Sequence, residues 1–158
     1  MSERVPFTEG SAEWMPSARL RNLPSRLLAQ VAGHADRLVS DRLAEVNARK
    51  WHYAVLVALQ DLGPASQSDL SRRAGLYRSD LVEVLNQLSE QGYIQRAPDP
   101  TDGRRNIITF TTQGKRRLNR LDKLITAIQE ELLAPLDTSE RNELIRLLTT
   151  LDQHHQPS

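Results

Sequence analysis

Residues 66–96, SQSDLSRRAGLYRSDLVEVLNQLSEQGYIQR, leave the chain few folds to choose from. Ser66-x-x-Asp69 is a capping-box-like start to a short helix that runs into Ala74-Gly75. A second helix runs from about Arg78 to Gln91, where Gly92 stops it. Two short helices joined by a tight glycine turn predict a helix-turn-helix. On a wheel of about 100° per residue the second helix places Leu81, Val84, Leu85 and Leu88 on one side. Ser79, Val82, Glu83, Asn86 and Glu90 fall on the other, with Arg78 at the N-terminal flank. The first side suits a core; the second is short, polar and able to hydrogen-bond.

Residues 93–111 read as a hairpin. Tyr93–Arg96 and Asn106–Thr111 are rich in Tyr, Ile, Thr and Phe, the composition of strands, and PDPTDGRR joins them. Pro98 and Pro100 stiffen the exit of the first strand, and Asp102-Gly103 supplies a turn. A turn needs the glycine and the prolines but not Arg104 and Arg105, which are expected at the hairpin tip, furthest from the core. A thin hairpin with guanidinium at its end suits the narrow, negatively polarised minor groove of DNA. Asp102 beside them is expected to orient one guanidinium through a charge-assisted fork.

Long helices flank this region. Residues 1–16 read as an N-terminal arm with Trp14 its only large anchor. From about Asn22, Leu20, Leu23, Leu27, Val31, Ala35, Leu38 and Val46 recur at steps of three and four, so a helix is expected with Asn22 as N-cap, Pro24 in the first turn and a bend near Gly33. A second helix is expected from Lys50 to Leu62, with Trp51, Val55, Leu59 and Leu62 inward and Gly63-Pro64 as its stop. After Thr112, Leu118, Leu121, Ile125, Ile128 and Leu132 form a stripe that fits a coiled-coil seam or an ordinary core equally. Asp137 caps a last helix reaching about His154, with Leu144, Leu147, Leu148 and Leu151 apolar. The expected fold is therefore mainly α with a small β-hairpin wing. Residues 49–111 would form a winged helix-turn-helix, and residues 17–48 and 112–158 dimerisation helices, since so much leucine calls for a second copy of the chain.

Charge and composition narrow the partners. Ten basic and six acidic residues give residues 66–120 a net +4 in a chain whose total is +1. That segment is either a solvated face or a surface for an anion. With no cysteine, thiol chemistry is excluded, and the chain fits a reducing cytoplasm. No stretch has the roughly 18 apolar residues of a membrane span, so no membrane partner is expected. No Gly-rich phosphate loop, nucleophile elbow or metal-ligand spacing is present, which argues against an enzyme and against a cofactor or metal.

Double-stranded DNA is the partner these features favour. Arg78, Ser79 and Asn86 are candidates for base edges, because Arg forks onto guanine and Asn onto adenine, and outward Val82 could meet a thymine methyl. Ser66, Gln67 and Ser68 are placed either for phosphate contacts or for capping alone. Tyr77, a poor N-cap, is either a packing residue or a phosphate contact. For a small effector, Arg21, His34, Trp51 and His52 are candidates, with Arg19 a further counter-charge. The competing reading is a winged helix that binds only protein.

Residues 50–118 resemble the MarR family of bacterial transcriptional regulators. The resemblance rests on the helix-turn-helix run, the Leu-x-x-Gln-Gly-Tyr-Ile exit, Asp102-x-Arg104 in the wing and Thr111-x-x-Gly114 opening the next helix. It implies a homodimer binding pseudo-palindromic operators, as a repressor or less often an activator, and in many members releasing DNA on binding a small aromatic or phenolic acid. Thiol-based peroxide sensing, known in one branch, is impossible without cysteine.

Overall fold

The computed structural model describes residues 15–157, so the expected arm anchor Trp14 lies outside the described residues. The chain falls into two compact units, Met1–Asp36 and Arg37–Ser158, with the boundary inside a helix.

In the first unit α1 (Ala18–Arg21) is one turn and α2 (Pro24–Ala44) begins; α2 runs without a break through Gly33 and ends in the second unit. Asn22 was expected to open the long helix and instead closes α1, donating its N–H to the Ala18 carbonyl at 3.1 Å. Pro24 takes the first position of α2, where its missing N–H would be unpaired in any residue. Leu20, Leu23, Leu27 and Val31 are exposed.

The second unit is ordered α3 (Lys50–Leu62), β1 (Ala65–Ser66), α4 (Gln67–Ala74), α5 (Arg78–Glu90), β2 (Ile94–Pro98), β3 (Asn106–Phe110), α6 (Thr112–Leu132) and α7 (Thr138–His155). Helix α3 packs on α4, α5, α6 and β3. Leu43, Val55, Leu56, Leu59, Leu70, Leu81, Leu85, Ile108 and Leu121 form the centre of its core. Gly75, left-handed at φ 68° and ψ 31°, closes α4, and its N–H donates to the Ser71 carbonyl. A side chain there would strain the turn that aims α5.

The sheet is antiparallel, in the order β1-β3-β2. β1 escaped sequence reading because two residues show no alternation; it exists only by pairing Ala65 with Ile108 and Ser66 with Ile107. β2 extends to Pro98, opposite Asn106, which an edge strand tolerates. Thr111 leaves the expected strand and caps α6. Its Oγ1 accepts the Gly114 N–H at 3.0 Å and donates to the Gly92 carbonyl at 2.6 Å. Gly114 follows from that docking, because a Cβ there would sit 2.0 Å from the Tyr93 carbonyl oxygen.

The stripe of α6 resolves as core. Leu118, Leu121 and Ile128 are buried within the single chain. Helix α7 begins with a full capping box between Asp137 and Glu140, yet Ile145, Leu147, Leu148 and Leu151 are exposed.

Candidate nucleic-acid interface

Helix α5 is divided as its wheel predicted. Leu81, Val84, Leu85 and Leu88 are buried, whereas Ser79, Val82, Glu83, Asn86 and Glu90 are exposed. Four apolar anchors thus hold the helix and leave its other side for contact.

Neighbouring elements fix the outward side chains. Arg78 Nη2 donates to Ser68 Oγ at 2.9 Å, joining the starts of α5 and α4 across the turn. Arg96, on β2, donates from Nη2 to Asn86 Oδ1 at 2.7 Å. Arg96 was missed in the sequence, because a strand residue ten positions on gives no sign of facing a helix residue. Its bond orients the Asn86 amide and leaves the amide N–H₂ free to donate outward.

Two residues at the helix starts depart from the sequence reading. Ser66 is 5% exposed and its Oγ accepts the Asp69 N–H at 3.3 Å, so its side chain caps α4. Gln67 and Ser68 remain half-exposed. Tyr77 precedes α5 without a side-chain cap bond and is 82% exposed, so it packs little within the single chain.

The wing separates its two arginines. The Asp99 N–H donates to the Arg105 carbonyl at 2.8 Å, which puts Arg105 at the neck of the loop and Arg104 beyond it. The guanidinium of Arg105 pairs with Asp99 Oδ2 at 3.1 Å, while Thr101 donates its N–H and Oγ1–H to Oδ1 at 2.9 and 2.8 Å. These bonds, the Thr101 N–H and hydroxyl before Arg105, hold the Asp99 carboxyl down to about 2. Asp102 was expected to orient an arginine; its carboxylate instead accepts the Arg104 backbone N–H at 3.1 Å and shapes the turn. The orienting acid is Asp99, 8% exposed.

Behind α5, a cleft of about 580 Å³ lies among α2, α3 and α5, lined by Ser40, Asn47, Arg49, Trp51, His52 and Gln87 among others. Trp51, expected to point inward, is 46% exposed at its edge, and His52 is the buried residue of the pair. Arg21 ends α1 and His34 lies within α2, both in the first unit.

A helix-turn-helix, a following hairpin wing and a polar outward face on the second helix define a winged helix-turn-helix protein. Residues 45–105 match the MarR family, which the chain resembles over that stretch. It is 35% identical over 99 residues to the putative transcriptional regulatory protein for the hcr operon of Thauera aromatica, a match covering 63% of this chain and 60% of that relative. With the HTH-type transcriptional repressor NicR of Pseudomonas putida it shares 26% identity over 140 residues, 84% of this chain and 88% of that protein. The crystal structure of the PcaV transcriptional regulator of Streptomyces coelicolor with its natural ligand superposes with a TM-score of 0.75 at 28% identity, over 90% of this chain and 100% of that one.

Proposed function

We propose that this protein is a ligand-responsive transcriptional regulator that binds a pseudo-palindromic operator as a homodimer, most simply as a repressor. The observation that carries it is α5: a helix anchored by four buried residues presents Ser79, Val82, Glu83 and Asn86 beside a wing tipped with Arg104. Asn86, steadied by Arg96, and Arg78, steadied by Ser68, read base edges. Tyr77, Gln67 and Ser68 face phosphates, Val82 a thymine methyl, and Arg104 the minor groove. The wing of this reading braces Arg105 on Asp99 and uses Arg104 alone as its probe.

The exposed leucines of α2 and α7 support the dimer, since a two-fold assembly covers one patch twice. It sets two α5 helices roughly 34 Å apart, one turn of DNA. Repression is the activity in NicR's name, and PcaV was crystallised with a natural ligand, which favours a repressor that answers to a small molecule. The cleft, with Arg49, Trp51 and His52 in its wall, is the place for that molecule. No helix of the described residues is long and apolar enough to cross a membrane; work in the cytoplasm accords with this reading.

Duplex fragments selected by the purified protein from a random pool identify the operator, and fluorescence anisotropy then measures affinity. Affinity is expected to fall about a hundredfold or more between ~50 and ~200 mM salt. A flat salt response, or no enriched fragment, refutes the proposal in favour of a protein-binding winged helix.

A further inference from the structure

Arg96 fixes more than the position of Asn86: it fixes which end of the exposed amide faces outward. Arg96 lies at the middle of β2, paired with the fully buried Ile108 of β3, so its backbone is held against the core. The side chain is half-buried. Its Nε is enclosed and has no hydrogen-bond partner, while Nη2 reaches Asn86 Oδ1 at 2.7 Å. A guanidinium with one donor already unpaired inside the protein gives up its bond to Asn86 only at a cost. A guanidinium also only donates, so the amide atom that faces it is the oxygen, and the N–H₂ group points the other way.

Base edges distinguish the two ends of an amide. An asparagine free to turn pairs with adenine by accepting from N6 and donating to N7, which needs its oxygen and its nitrogen side by side at the base. Asn86 has its oxygen committed to β2. What it presents is an N–H₂ donor backed by a cation. Guanine answers it with two adjacent acceptors, O6 and N7. Adenine sets its own N6 donor against it, cytosine offers only a donor, and thymine has one acceptor beside a methyl group.

We infer that Arg96 is a positioning residue for sequence recognition, and that through it Asn86 reads guanine in place of the adenine its residue type suggests. The inference rests on the proposed function and names the base that the recognition helix selects at this contact. Specificity at that base is then set by a residue outside α5. Exchange of the amide for a carboxylate follows the same chemistry. In Asn86→Asp one oxygen still accepts from Arg96, and the other can only accept, which suits the N4 amino group of cytosine.

Duplex fragments are selected from a random pool by the parent chain and by Asn86→Ala, Arg96→Met and Asn86→Asp. The operator position that loses its preference in Asn86→Ala is the one Asn86 reads. There the parent chain is expected to favour guanine over adenine about tenfold. Arg96→Met frees the amide to turn, and the ratio is expected to fall below about twofold or to reverse, with the other positions unchanged. A residue that merely held the hairpin together would weaken binding to every sequence alike. Asn86→Asp keeps the bond to Arg96 and is expected to move the preference from guanine to cytosine, which tests the inference even where Arg96→Met does not fold. Any base but guanine favoured by the parent chain overturns the inference, as does a guanine preference retained by Arg96→Met or by Asn86→Asp, or the absence of any position that depends on Asn86. A parent chain that enriches no sequence at all refutes the proposed function itself.

Discussion

Asp99 is an acid in the wing, and removing negative charge from a surface proposed to meet DNA ordinarily strengthens binding. Its bonds argue the opposite sign. Both of its carboxylate oxygens are engaged, one by Thr101 and one by Arg105, and its N–H closes the neck of the loop. With its carboxyl held at about 2, the pair stays charged throughout the neutral range. Asp99→Asn is therefore expected to lower operator affinity about fivefold, although the wing gains net positive charge. Arg105→Lys, which retains an ion pair with Asp99, should stay nearer the parent chain than Arg105→Ala. Anisotropy titrations check both, and limited trypsin digestion of the DNA-free protein gives an independent reading, since a loosened wing is cut sooner after Arg104. Tighter binding by Asp99→Asn would mean that Arg105 is a DNA contact restrained by Asp99 rather than a brace.

At the scale of elements, the hold of α6 on the wing depends on one close approach. Thr111 bonds both the Gly92 carbonyl and the Gly114 N–H, and the backbone of Gly114 lies against Tyr93 with no room for a methyl group. Tyr93 is held from the same side by Arg117, whose guanidinium carbon lies 5.4 Å from the ring centroid. Gly114→Ala must push α6 from the β2 approach and is expected to cost about 2 kcal/mol or more. Urea denaturation measures this: the midpoint should fall with an unchanged slope. A midpoint within error of the parent chain would show that the helix start slides at no cost.

For the whole molecule, the uncovered apolar surface decides the assembly. Leu148 and Leu151 on α7 are exposed in a single chain, as are Leu23 and Leu27 on the N-terminal side. Such surface is disfavoured in water unless another copy covers it. Leu148→Glu with Leu151→Glu is expected to shift sedimentation from dimer to monomer. Operator affinity should then drop about a hundredfold or more, because two linked half-site contacts become separate events. A double variant that stays dimeric places the interface elsewhere.

Much of the fold was legible from local rules. Helix α3 was placed by its spacing and its glycine stop, and the two sides of α5 by the wheel alone, because alternation of apolar and polar residues at helical steps already states which side is buried. The Asp137 cap was equally local. What escaped depends on residues distant in sequence meeting in space. β1 exists only through β3. Arg96 finds Asn86 across ten residues. The burial of His52 and exposure of Trp51 reverse what their types suggest, because α5 covers one and the cleft opens beside the other. The sequence by itself determined the order of the main helices and the hairpin, the helix-turn-helix and the presence of arginines in the wing. Tertiary structure alone decided which arginine is tied down and which acid ties it, since a hydrogen bond is set by where two chains of atoms arrive and not by how they are spelled.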